Sequence, residues 1–168
     1  GWQAAMTANG ATDTTAIGAY ALQSLTTGDF NTAVGQAALV TSTTGASNTA
    51  MEVGAGRDLT TGSNCTLIGV DAGADITTGG GNTCIGEDAG DKITTGYANV
   101  IIGENADTDI TGRIRACAIG QGVGTHAANE SFRVVGEGGV YNTGNTSSWN
   151  TTSDERIKKN IVDSTVGL

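Results

Sequence analysis

From Thr14 to about Gly120 the sequence repeats every seventeen residues, without an insertion or a deletion. One column of the repeat reads Ile17, Val34, Met51, Ile68, Ile85, Ile102, Ile119; the next reads Gly18, Gly35, Glu52, Gly69, Gly86, Gly103, Gly120. Three places beyond stand Ala21, Ala38, Ala55, Ala72, Ala89, Ala106 and Val123. A second apolar column holds Leu25, Ser42, Leu59, Ile76, Ile93 and Ile110, and threonine follows it in every row, from Thr26 to Thr111. Gly28, Gly45, Gly62, Gly79 and Gly96 close the unit. A fixed period of this length leaves room for one small unit per repeat, which buries its apolar face only by stacking on its neighbours. The chain is therefore predicted to be all-β: a parallel β-roll, or solenoid, of about seven coils. Seventeen residues hold two short strands and two turns, which predicts a flattened cross-section.

Composition agrees with a thin core. There are 27 glycines and no proline among 168 residues, and aromatics make up 4%. So few large side chains cannot fill an ordinary globular interior, whereas a narrow roll needs little filling. The alanine column marks a stretch of coil too tight for anything larger. Paired glycines suit turns that require positive φ or close approach of backbones. An asparagine column (Asn31, Asn48, Asn82 and Asn99, with Cys65 intruding) is expected to form a hydrogen-bonded side-chain ladder at a turn, like the stacked asparagines of cross-β assemblies.

Charge narrows the choice of partner. A net charge of −9 argues against nucleic acid, because phosphate recognition needs clustered Lys and Arg. No stretch is long and apolar enough for membrane insertion, and the N-terminus lacks a signal-peptide pattern. Three cysteines at unrelated spacings suggest neither a disulfide framework nor a zinc site. They read as small apolar core residues.

The Ile17 column is preceded by Ala16, Ala33, Ala50, Leu67, Cys84, Ile101 and Ala118. Neighbouring residues in a strand point to opposite faces, so both faces of this strand are apolar. One lines the coil's own interior, and the other calls for a neighbouring subunit. The larger Leu67 and Ile101 predict an intersubunit contact that thickens toward the C-terminus.

Units such as Asn31-Thr32-Ala33-Val34-Gly35 and Asn82-Thr83-Cys84-Ile85-Gly86 resemble the head repeats of trimeric autotransporter adhesins, and similar repeats occur in phage tail-fibre proteins. The resemblance covers roughly residues 14–123. It implies a left-handed roll and a homotrimer.

Past Gly120 the period fails. Residues 121–131 read as a connector, and Phe132 to Tyr141 as two short strands around a glycine turn. From Asn142 to Thr152 the chain is polar apart from Trp149. It is expected to form a narrow β-stalk when three copies intertwine. Then comes Ser153-Asp154-Glu155-Arg156-Ile157-Lys158-Lys159-Asn160-Ile161. It resembles the opening of the intramolecular chaperone domain at the C-terminus of phage endosialidases, tail spikes and neck appendages, matching Ser-Asp-x-Arg-x-Lys-x-x-Ile at each fixed position. That resemblance implies a domain that trimerises the chains and then cuts itself off, with Ser153 as nucleophile and Lys158 as its base. A serine hydroxyl becomes an effective nucleophile once a neighbour takes its proton, and a partly desolvated lysine can do so. Read locally, Thr152 and Glu155 also form a capping box, so a plain helix start stands beside that reading. The 16 residues from Ser153 onward are too few for a chaperone core, so this segment is read as the start of a truncated domain.

Other chemistry finds less support. Asp71 and Asp88 stack in one column with Asn105, and Glu87 and Glu104 stack beside them. A glycosidase needs two carboxylates across a cleft, and a regular roll supplies none, so these acids read as a solvated face. An ice-binding surface would need two threonine ranks on one side, and the Thr26 column supplies one. His126 has no partner in its connector. No cofactor and no metal are expected.

The predicted organisation is a cap or fragment start over 1–13, the roll over 14–123, a connector and trimeric stalk over 124–152, and a chaperone start over 153–168. The expected function is a structural and receptor-binding segment of a trimeric phage tail fibre, located in the virion, whose partner is a host cell-surface glycan or protein. The head of a bacterial surface adhesin and the non-catalytic part of a glycan depolymerase are the alternatives. The only enzymatic step expected is self-cleavage of the parent chain near Ser153.

Overall fold

A computed structural model describes residues 1–124 and 131–134, together with the backbone of 140–142 and 150–151. The fold is a β-solenoid of about seven turns, with no helix among the described residues. Each coil gives one strand to a single parallel sheet: β1 (Thr15–Ile17), β2 (Thr32–Val34), β3 (Thr49–Met51), β4 (Thr66–Ile68), β5 (Thr83–Ile85), β6 (Val100–Ile102), β7 (Cys117–Ile119) and β8 (Phe132–Val134). Ala16 lies opposite Ala33, Ala33 opposite Ala50, and so on up the stack. The constant period makes this register unavoidable, since a slip of one residue would exchange inward and outward side chains. The last step shortens to fifteen residues, Cys117 lying opposite Phe132 (132 − 117 = 15). Two antiparallel strands, β9 (Val140–Asn142) and β10 (Asn150–Thr151), then extend the same sheet. The strand pair expected around residues 132–141 is therefore β8 and β9, and β8 is also the eighth parallel rung of the roll.

The stacking also reaches the first residues. Tyr20 N donates to Trp2 O at 2.9 Å, Ala5 N to Ala21 O at 2.8 Å and Asn9 N to Thr26 O at 3.1 Å. Trp2 meets Tyr20 edge to face, with ring centroids 5.2 Å apart.

In one respect the coil departs from the sequence-based expectation: it contains one strand, not two. Across from the sheet, alternate residues adopt left-handed φ, as at Tyr20 and Leu22 (62° and 51°), Ala37 and Leu39 (58° and 51°), and Asp88 and Gly90 (54° and 73°). A backbone that reverses hand at every second residue curls and cannot extend into a strand. Coil-to-coil hydrogen bonds nevertheless continue on this side, with Leu22 N to Ala38 O and Leu39 N to Ala55 O both at 3.0 Å.

The core is a narrow column. Ala33, Ala50, Leu67, Cys84, Ile101 and Ala118 point into it from the strands, and Ala21, Leu25 and their counterparts close it from the other side. The expectation that Leu67 and Ile101 mark an intersubunit contact is thus wrong: both are fully buried inside their own chain. Their size has an internal cause. Where the strand contributes Ala33, the opposing column contributes Leu22 and Leu39; where it contributes Leu67, that column holds Gly56 and Gly73. A Cβ on Gly56 would stand 2.6 Å from Leu67 Cδ1, and one on Gly73 would stand 2.8 Å from Leu67 Cδ2. Small faces large in these layers, and the interior keeps its density there.

Candidate functional surfaces

Two outward ranks run along the sheet. Because strand residues alternate, burying the Ala33 column forces its two neighbours outward. One rank is the isoleucine-rich column from Ile17 to Ile119, continued by Val134. The other holds Thr15, Thr32, Thr49, Thr66 and Thr83, then Val100, Cys117 and Phe132. Ile17 is 58% exposed and Met51 41%, and the rest of the isoleucine rank is half-buried. Val53 and Val70, two places beyond Met51 and Ile68, add exposed apolar surface beside the rank. The threonine rank turns apolar over the last three rungs, so the face does become more hydrophobic toward the C-terminus. It does so through a different column from the one containing Leu67 and Ile101.

The asparagine column lies inside the fold. Asn31, Asn48, Asn82 and Asn99 are fully buried. Asn48 Nδ2 donates to Gly62 O of the next coil at 2.9 Å, and its Oδ1 accepts from Cys65 N at 2.9 Å. The ladder therefore joins side chain to backbone almost throughout, with one side-chain rung, Asn99 Nδ2 to Asn82 Oδ1 at 2.9 Å. Each asparagine satisfies a carbonyl and an N–H that the tight glycine turn leaves over. The turn is tight enough that a Cβ on Gly45 would stand 2.3 Å from Gly62 O. Cys65 occupies the third rung and brings its Sγ to Gly79 O at 3.5 Å, a weak substitute for an amide.

The threonine column is self-satisfied. Thr26 Oγ1 donates to Thr43 O at 2.8 Å, and the pattern repeats through Thr43, Thr60 and Thr77. Its neighbours Thr27, Thr44, Thr61, Thr78 and Thr95 face solvent. Among the acids, Glu87 and Glu104 are exposed, and Asp71 pairs with Arg57 at 3.1 Å. No group of three or more His, Cys, Asp or Glu among the described residues is placed to hold a metal ion.

One polar site escaped the sequence reading. Asp107 stands in the column of Leu22, Leu39, Gly56, Gly73 and Gly90, where a carboxylate is out of place, and it is 4% exposed. That break in an otherwise apolar column is the signal that could have found it. Its Oδ2 accepts from Lys92 Nζ at 2.9 Å; its Oδ1 accepts from Lys92 N at 3.2 Å and Thr108 N at 2.7 Å.

Cys65 and Cys84 are buried and Cys117 is half-buried; all three are free, and burial pushes their thiols up. Ser153, Lys158, His126 and Trp149 lie outside the described residues, as does the Thr152–Glu155 capping box. No protein-family model, curated protein or solved structure matches the chain.

Proposed function

We propose that the chain is a structural and receptor-binding segment of a trimeric phage tail fibre, in which three copies pack their sheets together. The observation that carries this reading is the outward isoleucine rank: a straight apolar stripe over eight rungs, about 34 Å at the usual strand spacing. A stripe of that kind, regular and continuous, suits contact with a copy of equal period better than contact with solvent. The roll supplies length and rigidity, while the variable exposed columns away from the sheet are free to meet a host glycan or protein. The C-terminal motif adds the second support, since a trimerising chaperone that cuts at Ser153 with Lys158 as base belongs with a fibre that needs help to assemble.

Light scattering on the purified chain tests the assembly. A mass near three times 16.7 kDa is expected. A stable monomer at micromolar concentration would leave the isoleucine rank without its copies and sink the trimer. A glycan array then separates receptor binding from scaffolding alone.

A further inference from the structure

We propose that the free edge of β1 is an acceptor for one further parallel strand of this same repeat, delivered by three residues that lead directly into Gly1. At this end the roll leaves its own ladder unfinished. In each later coil the N–H that follows the strand donates to the strand-end carbonyl one coil back: Gly35 N to Ile17 O at 2.7 Å, Glu52 N to Val34 O at 2.8 Å and Gly69 N to Met51 O at 3.0 Å. Gly18 N holds the corresponding place in the first coil and has no such acceptor among the described residues. The carbonyl just before each strand is likewise taken up by the coil before it. Asn31 O accepts from Thr15 N and Asn48 O from Thr32 N, both at 2.8 Å. Thr14 O, the first of that series, has no such donor among the described residues. One open acceptor and one open donor therefore bracket β1 at the spacing of a parallel ladder.

The register identifies the strand that fits. Gly1 stands one period before Gly18, and a Cβ on it would come within 2.3 Å of Gly18 O, as a Cβ on Gly18 would come within 2.3 Å of Gly35 O. Tyr20 N donates to Trp2 O at 2.9 Å, as Ala37 N donates to Ala19 O at 2.8 Å. The turn that follows a strand is thus already stacked on the first coil. By the same offset, the carbonyl that Gly18 N calls for belongs to a residue bonded to Gly1 N, and the N–H that Thr14 O calls for lies two residues earlier.

Packing asks for the same strand. Ala16 is half-buried, whereas its counterparts Ala33, Ala50, Leu67, Cys84, Ile101 and Ala118 are fully buried. Trp2, Met6 and Ile17, exposed by 68%, 59% and 58%, gather at this end of the roll. The edge itself is Thr-Ala-Ile, without the charge, proline or bulge that blunts a natural sheet edge. A strand of the form Thr-Ala-Val would meet both open backbone groups, set its alanine over Ala16 and lay its last side chain beside Ile17. A second copy has no parallel strand to spare, since β2 to β9 are paired on both sides. The site is independent of whether the chain forms a trimer.

In the test, a duplicate of residues 18–34, which ends in Thr-Ala-Val, is joined ahead of Gly1 in the full chain. Hydrogen exchange at the Gly18 amide should slow several-fold, toward the rate of the Gly35 amide, and Tm should rise. The same duplicate with aspartate in place of its copied Ala33 aims a carboxylate at the core and should leave Gly18 as fast as in the wild type. The Gly86 amide, in the middle of the roll, should be equally protected in all three proteins. Unchanged Gly18 exchange in the first variant would overturn the proposal, and so would equal slowing in both. A Gly18 amide already as slow as Gly35 in the unextended chain would also overturn it, because a second copy would then cover the edge.

Discussion

A Cβ on Gly90 would stand 2.6 Å from the Sγ of Cys84, so the thiol of one coil occupies the room that its own turn leaves empty. The two residues act as one packing unit, which leads to a measurable coupling. Gly90→Ala should destabilise the roll, both through this clash and because its φ of 73° disfavours a side chain. Cys84→Ala alone should cost about 1 kcal/mol for the lost contacts. The double variant should be more stable than the sum of the single effects, by about 0.5–1 kcal/mol in a denaturation cycle. Simple additivity would show that the layer does not pack as a unit.

Cys65 breaks the asparagine ladder, and the residue that repairs it is known from the column itself. Cys65→Asn should place an amide on Gly79 O, where Asn48 places one on Gly62 O, and an acceptor within reach of the Asn82 N–H. A gain of about 1 kcal/mol is expected from the added hydrogen bonds, read as a rise in Tm. The reverse change at a healthy rung, Asn48→Ala, should cost about 1–3 kcal/mol because buried backbone groups lose their partner.

Glu52 is the exception in the column of Gly18, Gly35, Gly69 and their successors. It adopts φ 92° there, a conformation that L residues rarely enter. Its side chain is exposed and makes no described hydrogen bond or ion pair. Glu52→Gly should therefore relieve strain and stabilise the chain by about 1 kcal/mol. An unchanged or lowered Tm would indicate that the cost of a more flexible unfolded chain outweighs the relief.

Ile101 and Ile102 are adjacent residues with opposite fates. Ile101 is fully buried in the core, and Ile102 stands on the outward rank. Ile101→Ala should cost about 2–5 kcal/mol of stability. Ile102→Asp should leave the roll folded by circular dichroism and reduce the light-scattering mass. Cys117, on the outer face between Val100 and Phe132, gives an independent readout. Alkylation of Cys117 should be slow in the assembled wild type and several-fold faster in Ile102→Asp. Equal rates in an assembled wild type would show that the copies meet elsewhere.

Much of this fold was legible because a solenoid writes each structural demand as a column. The Ile17 and Ala16 columns announced a strand apolar on both sides, and Asn31 and its successors announced a hydrogen-bonded turn. Which side faced inward was not legible, because alanine, isoleucine and leucine are all at home in a core. The size of Leu67 was read as a contact between chains, when its cause was the absence of side chains at Gly56 and Gly73, eleven residues before and six after. The second strand was expected because seventeen residues have room for two short strands and two turns. The left-handed φ at Tyr20, Ala37 and Asp88 has no shared residue type to reveal it. Asp107 was hidden differently: its column passes from Leu22 and Leu39 to Gly56, Gly73 and Gly90, so no single residue type marks it. Ser153 and Lys158 rest on their motif, since they fall outside the described residues.

The unbroken register from β1 to β7 makes the body of this protein a ruler graduated in units of seventeen residues. Removing or duplicating one whole unit changes its length by a single rung, about 4.8 Å, and leaves both ends as they were. An insertion of any other size would throw glycine, asparagine and alanine onto the wrong neighbours all at once. Changes of length in such a chain are therefore quantised, and a solenoid of different reach can be obtained by unequal recombination between its own repeats.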